Sequence, residues 1–134
     1  MKINEAGMTI KECYEKVGSD YDGVLKRLGS EALVKRFAVK FLNDPSFQEL
    51  TDGLAAQADL GRTLSEGDYK EAFRAAHTLK GVCLNLGFTE LYKVSAELTE
   101  VLRGRETAGS DELYAQVKEQ YTTLTDAIRE LAGN

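Results

Sequence analysis

The stretch DYKEAFRAAHTLKGVCLNLG, residues 68–87, decides how this chain is read. An α-helix turns about 100° per residue. With His77 at zero, Ala72, Ala75, Leu79, Val82, Cys83 and Leu86 fall within about 60° of the opposite side. Ala76 completes this small, apolar stripe, which is a plausible core face. His77 shares its own side with Lys70, Phe73, Arg74, Lys80, Gly81 and Leu84. The stretch therefore predicts a helix buried on one face and basic on the other, with the histidine pointing outward. It is expected to open at Asp68, where Glu71 completes a capping box, and to stop at Gly87.

Outward from this stretch, apolar residues recur at helical spacing and nowhere alternate over a strand's length. Thr89 opens another helix, with Leu91, Val94, Leu98, Val101 and Leu102 on one side, closing at Arg103-Gly104. The last begins at Ser110-Asp111-Glu112 and carries Leu113, Val117, Tyr121, Leu124, Ile128 and Leu131. Upstream, Ser30 precedes a stripe of Leu33, Val34, Phe37, Phe41 and Leu42. Asp44-Pro45 predicts a helix start, Asp as N-cap and Pro first inside, followed by Phe47, Leu50 and Leu54. Gly53 and Gly61 are potential interruptions, and Glu66-Gly67-Asp68 reads as a stop followed by a start. Two shorter helices fit residues 9–17 and 20–28. Short loops between long amphipathic helices favour antiparallel neighbours. The expectation is an all-α, up-and-down antiparallel four-helix bundle over about 30–132, with flanking N-terminal helices over about 8–29. The chain 1–134 is expected to be one domain.

Composition narrows the function. With 134 residues, the chain is long enough for a real core. Its 17 Lys+Arg against 22 Asp+Glu give 17 − 22 = −5, which argues against a nucleic-acid partner. No apolar run approaches membrane-spanning length, and MKINEAGMTI lacks the apolar core of an export signal. Two cysteines, Cys13 and Cys83, suit a reducing cytoplasm better than a disulfide scaffold. The one histidine excludes any site built on two imidazoles. With no cysteine at ligand spacing from it, no bound metal or cofactor is expected.

The face around His77 suits nucleophilic chemistry. An imidazole is substantially neutral near pH 7 and offers a nitrogen lone pair to an electrophile. The Lys80 ammonium, one turn on, can pair with the oxygens of a transferring phosphoryl group. Lys70 and Arg74, one to two turns the other way, can attract an acidic partner surface. Gly81 in mid-helix costs about 1 kcal/mol relative to Ala, and it would let another surface come close. Phe73 and Leu84 add apolar area suited to docking. The chain has no GxxxxGK[ST] motif and no glycine-rich nucleotide loop. It is expected to receive a phosphoryl group without taking it from ATP, as a carrier rather than an enzyme. Lys35-Arg36 and Arg103–Glu106 read as solvated surface and a helix end, and Cys83 as core.

His77-Thr78-Leu79-Lys80-Gly81, followed by Asn85-Leu86-Gly87, resembles the HxLKG…LG signature of histidine-containing phosphotransfer (HPt) domains. Ala75-Ala76 before it and the helix Glu90–Arg103 after it look like the same family, and the similarity covers about residues 20–130. The resemblance implies a phosphorelay intermediate of two-component signalling, folded as a four-helix bundle with extra helices. His77 would accept a phosphoryl group, on its outer ring nitrogen, from a receiver-domain aspartyl phosphate and pass it to another receiver aspartate. Lys80 would stabilise the phosphoryl oxygens and Gly81 would leave room for the partner. The implied partners are response-regulator receiver domains, which supply Mg²⁺, and a hybrid sensor kinase. Lys70, Phe73, Arg74, Leu84 and Asn85 are the expected partner contacts, and the chain is expected to be monomeric.

The sequence departs from the family pattern at Val82, Cys83, Leu84 and Phe88. Val82 and Cys83 map to the core side, whereas Leu84 lies on the docking side. A receiver-binding adaptor that is never phosphorylated would use the same helix face. A metal or haem bundle has only one donor here. A detached sensor-kinase fragment would need an ATP-binding domain elsewhere.

Overall fold

The computed structural model describes residues 7–60, 66–104 and 109–133. Among these the chain forms α1 (Ile10–Lys16), α2 (Tyr21–Leu28), α3 (Glu31–Lys40), α4 (Ser46–Leu60), α5 (Glu66–Leu86), α6 (Thr89–Arg103) and α7 (Ser110–Gly133). A 3₁₀ turn, Phe41–Asn43, follows α3, and no strand occurs among the described residues. Short polar side chains start the first three helices. Thr9 and Glu12 form a reciprocal capping box, Asp20 accepts from the Gly23 N–H, and Ser30 accepts from the Leu33 N–H. Asp44 accepts from the Ser46 N–H at 2.9 Å, so its carboxylate caps α4 with Pro45 just outside the first helical residue.

Pro45, expected inside α4, stands before it, and two further features differ from expectation. α5 begins at Glu66, so Gly67 and Asp68 lie inside its first turn rather than marking a stop and a cap. An acidic residue complements the positive helix end from within the first turn as well as from the cap position, so the sequence pattern fits both registers. α4 runs unbroken through Gly53. A Cβ there would lie 3.0 Å from the backbone nitrogen of Ala72, so the glycine lets α4 and α5 cross closely. Gly61 lies outside the described residues.

α4 to α7 make the up-and-down antiparallel bundle. Gly53 meets Ala72 while Glu49 pairs with Arg74, so α4 and α5 run in opposite directions. The end of α6 returns beside the first half of α5, where Arg103 stacks over Phe73. α4 closes on α7 through stacked rings, Phe47 on Tyr121 with centroids 4.1 Å apart, and through a 2.8 Å hydrogen bond between the Thr51 and Tyr114 hydroxyls. Leu50, Leu79, Leu91, Leu98, Leu102, Val117 and Ile128 fill the interior. Phe37 departs from its predicted stripe and is 37% exposed, because the core side of α3 is filled by Val34 and Ala38. No described helix is long and apolar enough to cross a membrane.

The N-terminal helices seal the end of α5. Gly87 adopts φ +74°, the left-handed conformation that glycine enters at least cost. The Phe88 N–H then bonds the Cys83 carbonyl and the Gly87 N–H bonds that of Leu84, a Schellman closure. The remaining carbonyls find partners far away in sequence. The Tyr14 hydroxyl donates to the Leu86 oxygen at 2.6 Å, and Arg27 donates to the Leu84 and Asn85 oxygens. The Asp20 N–H donates to the Gly87 oxygen at 2.8 Å. Phe88, fully buried, packs on Tyr14 and Phe41 beneath this seal.

Candidate functional site

The two faces of α5 separate as helical geometry requires. Ala72, Ala75, Ala76, Leu79 and Cys83 are completely buried, while Lys70, Arg74, His77 and Leu84 are exposed. Val82 is half-buried, at the edge of the core stripe. The alanines have little side chain to desolvate and let α5 lie close to its neighbours, so His77 stands on a firmly seated helix. No described residue hydrogen-bonds its imidazole.

Lys80 is half-buried and makes no ion pair with any described residue, so its charge is uncommitted. Gly81, on the same face, has open space where a Cβ would stand. Nothing among the described residues requires a glycine there, in contrast to Gly53 and Gly87. The helix thus carries a destabilising residue next to its histidine with no internal packing reason for it.

The basic character of the face is uneven. Arg74 donates to Glu71 at 2.6 Å and reaches Glu49 at 3.5 Å. The hydrogen bond with Glu71, then the charges of Glu71 and Glu49, hold the guanidinium pKa above its ordinary value. Arg74 is therefore locally neutralised, and Lys70 and Lys80 are the open cations of α5. A groove beside His77 is lined by Lys70, Phe73, Arg74, Thr78 and Arg103. Phe73 is half-buried, its ring centroid 5.9 Å from that of His77 and 5.0 Å beneath the Arg103 guanidinium carbon.

Arg103 is the residue that sequence reading missed. It reads as a charged helix end and is exposed there, but the antiparallel return of α6 also carries it into the histidine groove. Its only local signal was its place at the end of a helix following the histidine helix. Glu106 lies outside the described residues.

Toward the end of α5, Leu84 is 56% exposed, and Asn85 is also exposed. Both backbone carbonyls are held by Arg27, so this stretch of the face is anchored from behind. Cys83 lies on the buried side, and burial first, then the Asp44 charge, pushes its thiol far above the ordinary range. Such a thiol is inert at neutral pH. Among the described residues no three His, Cys, Asp or Glu side chains gather as a metal site.

An exposed, unbonded imidazole, an uncommitted ammonium one turn away and a gap in the side-chain cover are what a transient group-transfer site on a surface requires. The family model described as Hpt domain matches residues 47–131, well over half of the chain. No curated protein and no solved structure matches significantly.

Proposed function

The chain belongs to the Hpt domain family, whose members are phosphocarriers of two-component phosphorelays, and on that premise we propose that His77 is its phosphoryl acceptor and donor. The observation that carries this reading is the exposed His77 beside a glycine whose Cβ position is open space among the described residues. A partner that must bring its phosphorus within bonding distance of an imidazole on a convex helix needs that clearance.

The step begins with a receiver aspartyl phosphate docked over α5. The lone pair of the outer ring nitrogen of His77 attacks phosphorus, forming the N–P bond. The acyl O–P bond breaks and its electron pair leaves with the receiver carboxylate. The proton on the other ring nitrogen stays or passes to solvent. Lys80 pairs with the phosphoryl oxygens as charge shifts toward the leaving carboxylate. The same steps in reverse, on a second receiver, return the group to an aspartate. The divalent cation belongs to the receiver, and this chain contributes no nucleotide site, so ATP is spent elsewhere in the relay. A hybrid sensor kinase is the natural source of the first receiver, and the working form is a monomer, with Lys70, Leu84 and Asn85 at the partner contact.

Incubation with a phosphorylated receiver tests this. Acid-labile phosphate should appear on the wild-type chain and be absent from His77→Gln. Label that persists in His77→Gln sinks the proposal. Receiver binding with no label on either protein favours the adaptor.

A further inference from the structure

His77 lacks the hydrogen bond that ordinarily fixes an imidazole's orientation, since no described residue bonds either ring nitrogen. Among the described residues, the ring of Phe73, one turn earlier, lies beside the imidazole. Helical side chains lean toward the N-terminus over the preceding turn, so position 77 naturally lies against position 73. The rings sit 5.9 Å apart at 38°, within the range of favourable aromatic contact. Phe73 is itself held from the other helix. The Arg103 guanidinium lies 5.0 Å from its centroid, a cation–π distance, and Glu100 grips that guanidinium through contacts of 3.2 to 3.4 Å. The four residues form a continuous chain of contacts from α6 to the imidazole.

We propose that Phe73 and Arg103 are positioning residues for His77: Arg103 pins the Phe73 ring, and that ring holds the imidazole in the orientation from which its outer nitrogen attacks phosphorus. This rests on the phosphotransfer reading above. The N–P bond forms in line with the breaking O–P bond, so the rate depends on how often the lone pair points along that line. A ring tilted against the imidazole restricts it without occupying either nitrogen. It leaves one nitrogen free to attack and the other free to hold or release its proton.

The single histidine makes the test direct, because the imidazole carbon-bound protons give one unambiguous pair of NMR signals. Phe73→Leu should remove their ring-current shift. Arg103→Met, which keeps an unbranched stem without the charge, should move them in the same direction, and Arg103→Lys should restore most of it. In transfer from a phosphorylated receiver, kcat should fall about two- to fivefold in Phe73→Leu and Arg103→Met, the loss of one exposed cation–π or ring contact. KM should change by less than about twofold, and the double variant should be no slower than the slower single variant.

Unchanged ring-proton shifts in Arg103→Met overturn the proposal. So do kcat losses that multiply in the double variant, or a rise in KM alone, which would assign these residues to docking. If the wild-type chain accepts no phosphate, the phosphotransfer reading fails, whereas the ring-proton arm still decides whether the Phe73 contact orients His77.

Discussion

The hydroxyl of Tyr14 donates a 2.6 Å hydrogen bond to the carbonyl oxygen of Leu86, joining residues 72 positions apart inside the protein. The contact ties the first helix to the last turn of the helix that bears His77. Tyr14→Phe keeps the ring packing on Phe88 and Tyr21 but leaves a buried carbonyl without its donor. That should cost about 1–3 kcal/mol, read from the urea unfolding midpoint. An unchanged midpoint would mean that water reaches the Leu86 oxygen.

Gly81 and Gly87 should respond to alanine in opposite ways. Gly81→Ala adds a methyl group into open space on a helix, so stability should rise by about 0.5–1 kcal/mol while receiver-dependent phosphorylation slows. Gly87→Ala forces a side chain into φ +74°, with its Cβ 2.7 Å from the Asp20 oxygen. It should lose more than about 2 kcal/mol. Thermal unfolding of both variants, with a transfer assay on Gly81→Ala, checks the pair. Faster transfer in Gly81→Ala would contradict the clearance role.

Lys80→Ala should separate chemistry from folding. Its ammonium has no described ionic partner, so unfolding should move by less than about 0.5 kcal/mol. Transfer should slow by about ten- to a hundredfold, the scale of losing one group that stabilises developing charge. A large drop in melting temperature would mean that Lys80 serves the fold instead.

Alkaline pH should destabilise the protein. Burial raises the pKa of Cys13 and Cys83 and of Tyr14, Tyr21 and Tyr121 above their ordinary values. For a group whose folded pKa is raised, the unfolded chain loses its proton first. The stabilisation is complete below the unfolded pKa and is lost as pH rises toward the folded one. Urea midpoints should hold steady from about pH 7 to 8 and decline above about 9, thiols first and tyrosines from about 10. Cys83→Ala should flatten the first part of that decline. A midpoint that rises with pH in this window would contradict the burial of these groups.

The two faces of α5 were legible because helical geometry alone assigns them. Its buried alanines, its outward histidine and the terminating Gly87 all follow from spacing within one helix. The partners of that helix were not legible. Arg103 meets Phe73 only because α6 returns antiparallel in one particular register, and nothing local to either residue encodes that register. The same holds for Arg27, which reaches carbonyls 57 and 58 positions away. Arg74 pairs first with Glu71, three positions earlier on the same helix and within reach of spacing arguments, whereas its second partner, Glu49 on α4, cannot be placed beside it from periodicity. Asp68 was misjudged for a local reason, since an acidic residue suits the first turn as well as the cap.

The seal on α5 also separates two boundaries that are easily equated. The family match begins at residue 47, yet Tyr14, Asp20 and Arg27, which hold the carbonyls of residues 84–87, all precede it. A chimaera that transplants only the matched segment into another scaffold would carry the imidazole and leave behind the clasp on its helix. A transplant of this Hpt domain that keeps the clasp has to begin near Thr9, some forty residues before the segment by which its kinship is detected.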